Sequence, residues 1–380
     1  MKKKISVLLC LCLLAGGFVF SASAEEATAL RFGEDGTFTI LQITDPQDDT
    51  VLADDLVNFI EQSIALTEPD FIVLTGDIVE DSRPADLGSD DEPFKEGVAA
   101  ADRETALANV RACVEQLFAP LEESGIPYAV TQGNNDYKSG ITTEDWLQIY
   151  AEYPGCISVD MSADSEGHID TFVPVLASDS DAAAFGLWLL DNGRGFNDEQ
   201  RSWMQTYDHA DVPGVVFEHI PTSDVQYLFE KCSPWADGAF ADGLGIYRLN
   251  AAIATGHAET ALQGDTSDSQ ADLWKEKNVI GAFFGHLHTS GFTGTYDGVT
   301  MGLTYGCQFA KAGPYGVRTI VLNEADGSLQ TDLYTYENGA FSLQSDDVAD
   351  QPANAAEKFF RGFVNLFQFV FRSVAYLLKF

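Results

Sequence analysis

Five apolar runs of this chain, each the length of one buried strand, end in a polar residue able to hold a metal ion, and that repeated ending constrains the fold more than any other feature. The junctions are Thr44-Asp45-Pro46-Gln47, Gly76-Asp77, Gly133-Asn134-Asn135-Asp136, Glu218-His219 and Gly285-His286-Leu287-His288. The last follows Val279-Ile280-Gly281-Ala282-Phe283-Phe284, which shows none of the polar alternation of a half-solvated strand and is therefore expected to be buried on both faces. Such strands belong to parallel sheets, where ligands gather outside the strand carboxyl ends. Two histidines two apart on a loop are a weak sign of metal by themselves. The chain has only 6 His, however, and two are here. So many metal-competent endings at strand carboxyl ends are hard to assign to packing.

The segments between these endings alternate in the manner of an α/β fold. Strands are expected at residues 38–44, 71–75, 128–131, 186–190, 215–217 and 279–284, and amphipathic helices at 51–66, 105–118 and 198–207. Glycine-punctuated segments at 293–304 and 317–323 suggest hairpins. The polar, acidic stretch 80–102, with Pro84, Gly88 and Pro93, reads as a long loop or lid, or as a solvated insertion. No internal repeat is visible.

The amino terminus has the layout of a secretory signal over residues 1–24: Lys2, Lys3 and Lys4, an apolar run at 7–20, then Ala22-Ser23-Ala24 as a small-residue cleavage site. The run is shorter than the ~20 residues needed to span a bilayer, and glycines interrupt it. A secreted or cell-surface protein is the expectation. Its removal would leave 18 basic against 59 acidic residues, a net charge of −41. That surface is expected to repel nucleic acid and anionic membranes over most of its area. Four cysteines lie beyond the leader, Cys113, Cys156, Cys232 and Cys307; their spacing matches no zinc ribbon and leaves the pairing open, with Cys113 read as a buried thiol.

Residues 27–344 form the expected domain, 345–355 a polar, Pro-containing linker and 356–380 a separate amphipathic helix. From Lys358 onward that tail has four basic residues and no acid, with a broad aromatic face. Its charges interrupt it too often for a spanning helix. Three uses remain open: a helix lying in a membrane surface, a self-association helix, or a helix docked on the domain's own core.

The carboxylate, amide and imidazole mixture suits Mn, Fe, Zn or Ni better than an all-oxygen Ca site, and so many ligands suggest two ions with one bridging carboxylate. Taken in order, the motifs resemble those of the calcineurin-like metallophosphoesterase superfamily, D-x-H, G-D, G-N-H-[D/E], H and G-H-x-H, over about residues 38–323. Within it the chain most resembles the branch related to purple acid phosphatase 29, on Phe217-Glu218-His219-Ile220-Pro221, Leu187-Trp188-Leu189-Leu190-Asp191 and Tyr315-Gly316-Val317-Arg318. The resemblance implies a four-layer α/β/β/α sandwich with a dinuclear centre between the inner sheets. It implies Asp77 as the bridging carboxylate, Asp45, Gln47 and His288 on one metal, and Asn134, His219 and His286 on the other. It also implies an activity: hydrolysis of a small phosphate ester, diester or activated monoester, by a water that the metal pair acidifies.

Two positions depart from the family pattern. Gln47 stands where the first motif has histidine and offers a weaker amide oxygen. Asn135 stands where the third has histidine and cannot be a general acid, although it can donate a hydrogen bond to a phosphoryl oxygen. These losses point to good leaving groups, with a catalytically impaired binding protein or a phosphomonoesterase as alternatives. Asn135 and Asp136 are the candidate catalytic residues, Asp136 as a carboxylate orienting its neighbours or as a turn residue. Glu80 is read as a loop residue, His257 as a surface or supporting residue, and His168 and His209 as surface residues.

Overall fold

A computed structural model describes residues 29–80, 103–209, 211–242, 245–258, 266–344 and 355–377. The leader, residues 81–102 of the acidic stretch and the linker up to residue 354 lie outside the described residues. In chain order the first half holds β1 (Thr37–Ile43), α1 (Asp54–Thr67), β2 (Phe71–Thr75), α2 (Arg103–Ser124), β3 (Tyr128–Thr131), α3 (Thr143–Tyr150), β4 (Thr171–Leu176) and β5 (Ala183–Leu189). The second holds α4 (Asp198–Thr206), β6 (Gly214–Phe217), β7 (Phe229–Lys231), β8 (Phe240–Asp242), β9 (Gly245–Leu249), β10 (Ala254–His257), α5 (Ala271–Glu276) and β11 (Val279–Phe284). Then follow β12 (Gly291–Tyr296), β13 (Val299–Leu303), β14 (Tyr315–Asn323), β15 (Ser328–Glu337), β16 (Ala340–Leu343) and α6 (Ala355–Leu377).

One sheet has the order β16-β15-β14-β1-β2-β3 and the other β10-β12-β13-β11-β6-β5-β4. They pack face to face through Ile40, Phe71, Val73, Val215, Phe217 and Phe283. The outer face of the first is covered by α1, α2 and α3 through Phe59, Val110, Leu117 and Trp146. The outer face of the second carries α4 and α5 through Met204 and Trp274. This is the four-layer α/β/β/α arrangement, with β7, β8 and β9 as a small third sheet.

Parallel pairing is what gathers the site. In the first sheet β1, β2 and β3 run parallel, with Ile43 opposite Leu74 and Thr75 opposite Thr131, so the segments after them leave from one edge. In the second, β5, β6 and β11 are parallel, with Leu189 opposite Phe217 and Phe217 opposite Phe283. Capping boxes begin two of the helices: Thr142 with Asp145 at α3, and Asn197 with Gln200 at α4. Helix α2 runs past its expected end at 118 to Ser124, held by buried Leu117, Phe118 and Leu121 around Pro120. His168 and His209 are not surface residues as expected but are buried.

Candidate metal centre

The chain bends sharply after β1, β2 and β11. Asp45 (φ 53°), Gln47 (φ 40°), Asp77 (φ 52°) and His286 (φ 68°) all adopt left-handed backbone, which costs a non-glycine residue about 1 kcal/mol or more and is kept where surrounding contacts hold it. The holding contacts come from neighbouring loops. Asp45 N–H donates to Gly76 O (3.2 Å) and Gln47 N–H to Asp77 O (2.9 Å), while a Cβ on Gly76 would lie 2.6 Å from Gly133 N. Only glycine permits that approach of backbones.

Two groups of ligand atoms result. Asp77, His219 and His286 form one and Asp45, Asp77 and His288 the other, with the ligand atoms of each within 4.8 Å of one another. Asp77 belongs to both. His219 Nδ1 lies 2.8 Å from Thr75 O and donates to it, because a carbonyl only accepts. That leaves Nε2 aimed into the site, 3.3 Å from His286 Nδ1 and 3.4 Å from Asp77 Oδ1. Asp45 Oδ2 accepts from Thr44 Oγ1 (2.6 Å) and from the His286 N–H (2.9 Å). Its Oδ1 is buried, 3.1 Å from His288 Nε2 and 3.9 Å from His219 Nε2, and takes no well-aligned hydrogen bond.

The amides sit among these groups in different ways. Asn134 Oδ1 approaches His219 Nε2 at 3.2 Å, presenting an acceptor to the His219–His286 group. Gln47 is buried and its Nε2 donates to Asp77 Oδ2, so its nitrogen rather than its oxygen faces the site. Rotating that amide by half a turn exchanges the two atoms. Asn135 is fully engaged: its N–H donates to Asp77 Oδ1 (2.7 Å), its Nδ2 to Asp77 Oδ2 (2.9 Å), and its Oδ1 accepts from Lys138 Nζ (2.9 Å). It steadies the shared carboxylate.

Asp136 does not face the ligand groups. Its Oδ1 accepts from Ile78 N–H (2.8 Å) and Val79 N–H (3.2 Å) and its Oδ2 from Gly133 N–H (2.7 Å), tying the loop after β2 to the loop after β3. It acts as a positioning residue, the orienting one of the two roles read from the sequence. Burial and the nearby Asp77 charge push its carboxyl up to about 8.

The electrostatics call for a cation. Burial pushes His219 down, but Asp77 and Asp45 outweigh it and raise the imidazole to about 10. His288 is likewise held down by burial and raised on balance by Asp45. Asp45 is raised by burial, yet His288 and His219 pull it well below the usual carboxylate range. Two buried carboxylates thus demand positive charge, which protons or metal ions can supply in competition.

Residues around the ligand groups support them, some inside the quoted motifs and some, such as Gln270 and Asn192, outside them. Glu218 is buried and accepts from Gln270 Nε2 (2.6 Å) and Asn192 Nδ2 (3.0 Å), which secures the residue preceding His219. Tyr137 donates to Asp191, whose Oδ2 also accepts from Ile169 N–H (2.9 Å). Glu80 is buried and pairs with Lys311 at 3.3 Å. His257 lies on β10, outside both ligand groups.

The family model for calcineurin-like phosphoesterases matches residues 38–290, well over half of the chain. The chain belongs to that family. Probable inactive purple acid phosphatase 14 of Arabidopsis thaliana is 24% identical over 339 residues, which are 76% of this chain and 73% of that protein. Probable inactive purple acid phosphatase 29 of the same plant is 25% identical over 348 residues, 80% of this chain and 78% of that protein. Among solved structures, a dimetal phosphatase from Danio rerio aligns with a TM-score of 0.46 at 12% identity, covering 77% of this chain and 98% of that one.

Divalent metals are the family's cofactors, and the residues present fit them. The donors are imidazole and carboxylate, Asp45 Oδ1 is buried without a hydrogen bond, and the His219 tautomer is preset by Thr75.

Proposed function

We propose that this chain is an exported, metal-dependent phosphoesterase that transfers the phosphoryl group of a small phosphodiester, or of an activated monoester, to water. The observation carrying this reading is the sharing of Asp77 between two ligand groups. A metal pair held by Asp45, Asp77, His219, His286 and His288, with Asn134 and a rotated Gln47 as amide-oxygen donors, supplies Lewis acidity and an acidic water. The chain's own groups keep the site in register. Asn135 restrains Asp77, Thr75 holds His219 in one tautomer, and His286 N–H holds Asp45. Lys138, exposed beside Asn135, adds a cation on a chain whose formal charge of −38 otherwise repels phosphate. Asn135 holds no titratable proton and Asp136 faces backbone, so ester groups that leave as stable anions suit the site best.

Elemental analysis of protein loaded with Mn, together with turnover of bis(p-nitrophenyl) phosphate and p-nitrophenyl phosphate, tests this. About two metals per chain and faster diester turnover are expected. Less than one metal and no metal-stimulated turnover would sink it. Faster monoester turnover would make it a phosphomonoesterase. Export is tested by sequencing the amino terminus of secreted protein, expected at Glu25.

A second reading, a metal-binding protein without turnover, is favoured by one observation: Gln47 and Asn135 both donate amide hydrogens to Asp77, satisfying the carboxylate from within the chain. The relatives whose names call them probably inactive point the same way. Retained metal with neither ester turned over would support it.

A further inference from the structure

Helix α6 rests on the small third sheet through Gly362 and Asn365, with Leu366 and Phe369 half-buried on the same side. Gly362 is buried against Trp235, whose ring leaves no room for a Cβ there. Asn365 is also buried, and its Nδ2 donates to Ala239 O (2.8 Å) and Pro234 O (3.2 Å). The opposite side is apolar and open: Phe359, Phe360, Phe363, Phe367, Val370 and Phe371 are between 49% and 66% exposed. At about 100° per residue these positions fall within an arc of about 120°. A helix docked on its own core shows the reverse arrangement, with aromatics inward and amides in water. No helix among the described residues is long and apolar enough to cross a membrane.

We propose that this aromatic face is a membrane-docking surface, which lies in the headgroup region of a bilayer containing anionic lipid. The charge distribution selects that occupant. Residues 358–380 carry four basic residues and no acid on a chain of formal charge −38, so the tail is the part that anionic headgroups attract. The acidic body beyond a Debye length of about 8 Å is screened from the lipid at physiological salt. Pairing with a second copy would bring two strongly acidic bodies together.

Vesicle flotation tests the proposal. The purified protein is expected to float with mixed phosphatidylcholine–phosphatidylglycerol vesicles, and less with phosphatidylcholine alone or at high salt. Phe363→Ser with Phe367→Ser, both at exposed positions, should lower the partition coefficient at least about tenfold while leaving the circular dichroism spectrum unchanged. A chain ending at residue 355 should not float. Failure of the parent protein to float with the mixed vesicles overturns the proposal, and so does a dimer in analytical ultracentrifugation that the double substitution dissolves without any lipid binding.

Discussion

Asp77 is the one side chain common to both ligand groups, so Asp77→Asn separates a shared centre from two independent ones. The substitution keeps the side chain's shape and removes one charge. Its effect on folding should be small, because Gln47, one of the donors facing Asp77 Oδ2, can rotate its amide to present oxygen to the new NH2. Its effect on metal should be large. A unit charge about 4 Å from another at an effective dielectric of about 20 is worth about 4 kcal/mol. That is about a thousandfold in affinity. Since Asp77 serves both groups, both positions lose it. Asp45→Asn strips a charge from one group only and leaves Asp77, His219 and His286 in place. Mass-spectrometric metal analysis after dialysis against a weak chelator should therefore find about two ions in the parent, about one in Asp45→Asn and almost none in Asp77→Asn, with circular dichroism unchanged. Full metal retention by Asp77→Asn, or loss of both ions from Asp45→Asn alone, would refute the shared-carboxylate reasoning.

Replacing Gln47 and Asn135 together by His should tighten metal binding and raise p-nitrophenyl phosphate turnover by about a hundredfold, the scale of a restored general acid; an unchanged monoesterase rate would show that neither position limits the reaction. Arg318 lies fully buried between the sheets, donating to Thr304, Thr293, Thr331 and the carbonyls of Phe292 and Leu303. Arg318→Met strands those acceptors and should lower the urea unfolding free energy by about 3–5 kcal/mol, and a loss below about 1 kcal/mol would contradict the role given to the network. Asp170 is buried beside Asp191, and these two causes, burial first, raise its carboxyl to about 8. Between about pH 4 and 8 the folded state then holds a proton that the unfolded chain has released, so this group's contribution to stability falls as pH rises through that window. The melting temperature of Asp170→Asn should gain on that of the parent as pH is raised from about 5 to about 8; a constant difference would reject the assignment.

The strands that carry the site were legible because burial on both faces leaves an uninterrupted apolar run, as in Phe71–Thr75 and Val279–Phe284. The short strands β7, β8 and β9 were not. They are three to five residues long and β7 and β9 are mostly half-buried, so no period stands out. His168 illustrates a second kind of miss. It is buried beside Asp164, whose Oδ2 lies 2.6 Å from its Nδ1, and the polar residues that flank it in sequence give no sign of that burial. For Asp136 the sequence left two roles open, and its partners decide for orientation: its hydrogen bonds run to backbone 57 and 58 positions away as well as to Gly133.

The sequence by itself determined which residue types stand at the strand ends, and hence that the chain holds imidazoles, carboxylates and amides suited to borderline metals. It also determined that the tail is basic, aromatic and helical in period. Which of these groups meet was decided by tertiary structure alone. His286 reaches Asp45 across 241 positions, and Asp77 is shared because β1, β2, β6 and β11 run parallel within two sheets that face each other. Amphipathic period likewise said that α6 has two faces, while the contact of Gly362 with Trp235 chose which one turns outward. Local pattern follows from burial and backbone geometry over a few residues; distances between loops follow from how whole sheets pack, and no short stretch of chain encodes them.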